Sequence, residues 1–118
     1  MSSVPFTVPH LYGGFADCHG LLRGEGGHLI LEFQVQDNLF GWIRGSPKTV
    51  RVPLVELESI ELKPRWLRSS DLVIVAKSLT AVAAVPGSRQ GRIRLRIAKK
   101  DLPMAEQFVA GAYETSVG

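Results

Sequence analysis

The feature that most limits what this chain can fold into is a two-residue alternation of apolar and polar side chains, repeated in one strand-length segment after another. It is clearest in "HLILEFQVQ", residues 28–36, where Leu29, Leu31, Phe33 and Val35 fall on one side and His28, Glu32, Gln34 and Gln36 on the other. Only Ile30 breaks the pattern. Successive side chains of an extended backbone point to opposite faces, so this period predicts a half-buried strand and not a helix. Just before it, "FADCHGLLR" (15–23) sets Ala16, Cys18, Gly20 and Leu22 inward. The intervening "GEGG" (24–27) supplies glycines for the positive backbone angles of a tight connection, so the two segments predict a hairpin.

The same reading continues along the chain. "KTVRVPL" (48–54) faces Val50, Val52 and Leu54 inward and Arg51 outward after the turn-rich "RGSP" (44–47), and Pro53 limits further pairing on its own side. "VELESIELK" (55–63) alternates Ile60 and Leu62 with Glu61 and Lys63, and "PRWLRSS" (64–70) reads as a long turn. "DLVIVAKS" (71–78) is an apolar run of strand length, "LTAVAAV" (79–85) is a shorter one that fits a strand or a single helical turn, and "PGSRQG" (86–91) is turn chemistry. "GRIRLRIA" (91–98) then places Ile93, Leu95 and Ile97 inward and Arg92, Arg94 and Arg96 outward. After Asp101 the period changes, with Leu102, Ala105, Phe108, Val109 and Ala112 recurring at helical spacing. Asp101 is expected as the helix N-cap, and Pro103 in the first turn loses no intrahelical hydrogen bond. The expectation is a mainly β fold, a seven-stranded antiparallel sandwich or barrel capped by one C-terminal α-helix. It forms a single domain over 1–118, with strands within about 15–98 and the helix at about 102–113.

A chain of 118 residues, 45% hydrophobic and 21% charged, is long enough to bury a core of that kind. Cys18, the single cysteine, excludes an internal disulfide and fits a reducing compartment, so a cytoplasmic location is expected. The N-terminal "MSSVPFTVPHLYGG" lacks the basic and apolar regions of a secretory signal, and "LVIVA" and "AVAAV" are too short to span a bilayer. The formal charge of +3 is unevenly spread: Arg89, Arg92, Arg94, Arg96, Lys99 and Lys100 lie together with no acidic residue among them, which leaves the rest of the chain net acidic. A local basic patch of this kind attracts phosphate or an acidic partner surface.

Few residues suggest catalysis. "DCH" (17–19) places a thiol beside an imidazole, but adjacent strand residues face opposite ways, so Cys18 and His19 are expected as a buried residue and a surface residue. His10, His19 and His28 have no metal-ligand spacing, and the glycines of "GEGG" precede no helix that would hold a phosphate. Glu56, Glu58 and Glu61 read as an exposed strand edge or turn. No catalytic residue, cofactor or metal ligand is expected, and the chain is not expected to be an enzyme.

Two places suggest binding. Trp66, between Arg65 and Arg68, suits a partner anchor or a lipid headgroup boundary, with a folded-back core plug as the structural alternative. The other is the ladder Arg92, Arg94 and Arg96 with Lys99, whose alternate positions lie about 6.6–6.8 Å apart, near the spacing of phosphates. A strand with one buried face also needs soluble residues on the other, and two of the three arginines could pair with Glu58 or Glu61 if those strands were neighbours. A protein partner or a second copy is the first expectation, an anionic membrane surface the next. Nucleic acid ranks lower because no stacking aromatic is interleaved.

The segments "VRVPLVELESIEL" (50–62) and "DLVIVAKSLTAVAAVPGSRQGRIRLRIAKKDLPMAEQF" (71–108) carry a resemblance. Residues 50–62 resemble the basic strand of a pleckstrin-homology-like (PH-like) domain stepping through "PL" into the next strand. Residues 71–108 are similar to the last strands of that fold running into its terminal helix, as in small bacterial PH-like proteins. The resemblance implies a mostly non-catalytic module that binds phosphoinositides, binds proteins or assembles into oligomers. Lipid-binding members typically carry basic residues on the first hairpin. Here that hairpin reads "LLRGEGGHLILEF", with Arg23 before the loop, Glu25 within it and His28 after it, which turns the expectation toward interaction or assembly.

Overall fold

The computed structural model describes residues 3–11, 14–37, 43–64 and 69–117, with side-chain environments for all of these except 10, 43–45 and 112–117. Seven strands precede one helix: β1 (Val4–Leu11), β2 (Ala16–Glu25), β3 (His28–Asp37), β4 (Ile43–Pro53), β5 (Leu57–Pro64), β6 (Ser69–Ala76), β7 (Arg92–Ala98) and α1 (Leu102–Val117). All ladders are antiparallel and belong to one sheet of order β4-β3-β2-β1-β7-β6-β5. The fold is mainly β with a C-terminal helix, as the alternation predicts.

The two edge strands, β4 and β5, are consecutive in sequence and joined only by a 3-10 turn at Leu54–Glu56. The sheet therefore has to curl until its edges approach. Hydrogen bonds at that turn hold the closure: Leu54 N–H donates to the Gly27 carbonyl in the β2–β3 turn at 2.9 Å, and Lys77 N–H donates to the Glu56 carbonyl at 2.8 Å. The inward residues meet in one core that includes Val4, Phe6, Cys18, Leu22, Leu29, Leu31, Val52, Leu72, Ile74, Ile93, Leu95 and Ile97. The helix α1 covers this core with a fully buried Ala105 and with Leu102, Met104, Phe108 and Val109 packed beside it.

The hairpin of β2 and β3 turns on Gly26 and Gly27, at φ of 57° and 76°, with Glu25 paired to His28. Both central residues lie where glycine has no steric cost, the backbone of a two-residue turn that matches strand twist. Gly20, in mid-strand, serves a different purpose: a Cβ there would lie 2.2 Å from the Glu32 carbonyl oxygen and 2.6 Å from the Phe6 ring. Its lack of a side chain lets the Phe6 ring lie on the backbone of β2.

Four expectations need correction. "RGSP" (44–47), expected as a turn, lies within β4, where its residues are taken up by a slip of the β3–β4 register between Phe33 and Val35. Residues 79–85 form no strand. They are bends and turns, held by Ala83 N–H to Thr80 O and Val85 N–H to Val82 O, and they bury Val82 and Val85 against the core. The seventh strand is instead β1, ahead of the expected range, where Val4, Phe6 and Val8 point inward past Pro5, Thr7 and Pro9. Asp101 does not stand alone as a cap: a 3-10 turn at Lys99–Asp101 leads into α1, and Asp101 is buried.

Candidate interaction face on β7

The arginine ladder lies near the middle of the sheet, because β7 runs between β1 and β6. Ile93, Leu95 and Ile97 are buried on the inner face, which commits Arg92, Arg94 and Arg96 to the outer one. Each row across the ladders can be followed on that outer face. Arg92 lies opposite Val75, which lies opposite Ser59; Arg94 lies opposite Val73 and then Glu61; Arg96 lies opposite Asp71 and then Lys63. On its other side Arg96 faces Thr7 of β1, which faces His19 of β2.

The three arginines differ in freedom. Arg92 is exposed and makes no ion pair among the described residues. Arg94 reaches diagonally to Asp71, Nη1 to Oδ2 at 3.2 Å, with its own side chain 57% exposed and that of Asp71 only 4%. A buried carboxylate needs such partners, since an unpaired charge out of water is strongly unfavourable. Arg96 is partly enclosed, and its Nε is buried without a hydrogen bond among the described residues. Lys99 and Lys100, in the 3-10 turn that follows, are exposed and form no ion pair among the described residues.

The condition for pairing with Glu58 or Glu61, that their strands be neighbours, is not met, because β6 lies between β5 and β7. Asp71 takes that place. Its phase is the available signal in the sequence: Asp71 shares parity with Val73 and Val75, opposite to the inward Leu72 and Ile74. The alternation alone does not say which strand is its neighbour. Glu56, Glu58 and Glu61 are exposed as expected, and Glu61 approaches Lys63 at 3.8 Å.

Val73 is only 3% exposed although it lies on the outer face, flanked by Arg94 and Glu61. Ile30 is fully buried in the same way between Arg23 and Arg51. In both places a buried apolar residue stands in a row flanked by long charged ones. The Arg23 guanidinium also pairs with Glu32 and, at 3.3 Å, with Glu25, and these hydrogen bonds hold it more firmly protonated. The β2–β3 hairpin, which follows β1–β2 and is not the first of the chain, therefore offers no uncommitted arginine beside its loop.

Cys18 is buried and its thiol is pushed up to about 11 by loss of solvation, while His19 is exposed on the opposite face. His28 Nδ1 donates to the Gly26 carbonyl at 3.0 Å, and no cluster among the described residues has metal-ligand character. Arg65, Trp66 and Arg68 lie outside the described residues. A groove of about 570 Å³ runs between the 83–88 turn and the β3–β4 pair, with Phe33, Val35, Lys48, Val85 and Ser88 among its walls. Lys48 is the only charged residue among its described walls. No helix among the described residues is long and apolar enough to cross a membrane.

Compared with known proteins, the chain matches no family model, and neither a curated protein nor a solved structure shows significant similarity to it.

Proposed function

We propose that this chain is a non-catalytic interaction module of PH-like fold that docks an acidic protein surface on the outer face of β7, through Arg92, Arg94, Arg96 and Lys99. The observation that carries the reading is a division of labour in the ladder: Arg94 is anchored by the buried Asp71, while Arg92 and Lys99 stand exposed with no ion pair among the described residues. An anchored guanidinium beside free ones favours a protein surface over a lipid headgroup, which is best held by several uncommitted cations converging on one phosphate.

The sheet edges support a face over an edge as the docking site. Each edge strand carries proline and an irregularity: Pro47 lies in β4 where its register with β3 slips, Pro64 ends β5, and the β5 register shifts between Leu57 and Ser59, leaving Glu58 exposed. Proline, an irregularity and charge at an edge all discourage strand addition. With both edges so blunted, β7 offers charge without backbone pairing.

The test is retention on immobilised polyglutamate, compared with co-sedimentation on phosphatidylserine vesicles and retention on duplex DNA. The reading expects salt-sensitive retention on polyglutamate that Arg92→Glu with Lys99→Glu abolishes. Retention unchanged by that double reversal, or binding to vesicles or DNA with none to polyglutamate, overturns it.

A further inference from the structure

The outer face of β5, β6 and β7 carries its own complement. Across β6, the exposed Glu61 and Arg94 lie at the same level, one strand to either side of Val73. Within one chain they do not pair: two strand spacings apart, about 9.6 Å, Arg94 turns to Asp71 and Glu61 approaches Lys63. Beside Arg94 stands Arg92, and beside Glu61, where the β5 register shifts, stands the exposed Glu58; neither has an ion pair among the described residues.

We propose that the acidic surface taken by β7 is the β5 row of a second copy of this chain, in a two-fold dimer whose axis runs along β6 between the facing sheets. This rests on the reading of β7 as a docking face. A rotation about that axis keeps each level of the ladder and exchanges left for right, so Glu61 of each copy lies over Arg94 of the other. Packed sheets sit about 10 Å apart, a gap that an arginine and a glutamate reaching from opposite sides can close. The half-buried Val75 and the flush Val73 lie on the axis, so the centre is apolar and the charges flank it. A two-fold contact of this kind is self-complementary and closes at two copies.

The same rotation sets the uncharged Ser59 over Arg92 and sets Lys63 over Arg96, a like-charge level with the Asp71 carboxylates between, so the attraction rests on the Glu61–Arg94 level. This gives the arrangement a signature that a generic basic patch lacks. Reversing Glu61 must weaken the dimer, whereas reversing Lys63, two residues along the same strand, must strengthen it.

The experiment is sedimentation equilibrium on the full chain and on Glu61→Arg and Lys63→Glu, both exposed positions, with circular dichroism to confirm folding and polyglutamate retention measured in parallel. The expected result is a salt-sensitive dimer for the parent, weakened roughly tenfold or more by Glu61→Arg, since each substitution counts twice across the axis, and tightened by Lys63→Glu. A parent chain that stays monomeric to about 1 mM, near the weak end of measurable affinity, overturns the proposal. So does a Glu61→Arg chain that dimerises as well as the parent, or a Lys63→Glu chain that dimerises less. Polyglutamate retention by a monomeric parent leaves the docking face standing and rejects only the second copy as its occupant. Loss of retention in the monomeric Glu61→Arg chain rejects the docking face itself.

Discussion

Gly20 and Cys18 define how tightly the β1–β2 contact is packed. Even a methyl group at position 20 would collide with the Glu32 carbonyl and the Phe6 ring, atoms held by the ladder and the core. Gly20→Ala is expected to lower stability by about 1–3 kcal/mol, the usual result of overpacking, readable as a reduced denaturation midpoint in urea. Cys18 is shielded from solvent, and its raised thiol pKa keeps it neutral and unreactive. Folded protein at pH 8 should therefore resist disulfide-exchange reagents that label the unfolded chain at once. The folded thiol titrates near 11 against an ordinary value of 9.0, so the unfolded chain loses its proton first as pH rises. Stability is unaffected below about pH 9, falls as pH climbs from 9 to about 11, and levels off once both states are ionised. Within the ladder, Arg94→Ala should destabilise the fold by about 1–2 kcal/mol by removing a partner of the buried Asp71, a modest figure because Arg94 itself is open to water. Arg92→Ala should change stability by no more than about 0.5 kcal/mol. Thermal unfolding of the two variants side by side checks the contrast.

At the scale of elements, the sequence is most informative where alternation and turn chemistry agree. The β2–β3 hairpin, β7 and α1 all follow from their patterns, because each has an unbroken apolar face and a clear boundary. The element missed was β1, whose "VPFTVPHL" alternates as well as any strand but carries two prolines that argue against a central position. The structure explains the exception. The β1–β7 ladder consists of the single pair Thr7 with Arg96, and Pro5 and Pro9 lie two residues to either side of Thr7 with no N–H to donate. The run at 79–85, which fits a strand or a single helical turn, is resolved as turns: Val82 and Val85, three apart, are buried in the core, and Gly87 beyond them approaches Val8 and Leu11. A short apolar run records burial without recording backbone shape. Val82→Ala is expected to cost about 1–3 kcal/mol and to increase proteolytic cleavage within 79–88, because the run loses its deepest side chain. Cleavage that stays at the parent rate would show that the segment is held by its turns alone.

For the whole molecule, the decisive feature is where topology puts the charge. The sequence concentrates six cations between Arg89 and Lys100 and three carboxylates between Glu56 and Glu61, and both clusters are legible without coordinates. What cannot be read from the sequence is that β6 comes between them, since strand order depends on long-range pairing that alternation does not encode. That order makes Asp71 the anchor of Arg94 and sets Glu61 and Arg94 on one outer face, two strands apart. The β2–β3 hairpin shows the same effect in reverse: Arg23 lies beside the loop, but Glu25 and Glu32 already occupy its guanidinium. The account therefore predicts that acidic ligands find β7 and leave the β2–β3 turn alone. The most direct test is an amide chemical-shift titration of isotope-labelled protein with polyglutamate at low salt. The account predicts shifts concentrated on Arg92–Ala98, Lys99 and Lys100 with the adjoining β6, and little change at Gly24–His28. Shifts centred on that hairpin or on the 83–88 groove, or none at any concentration, would contradict it.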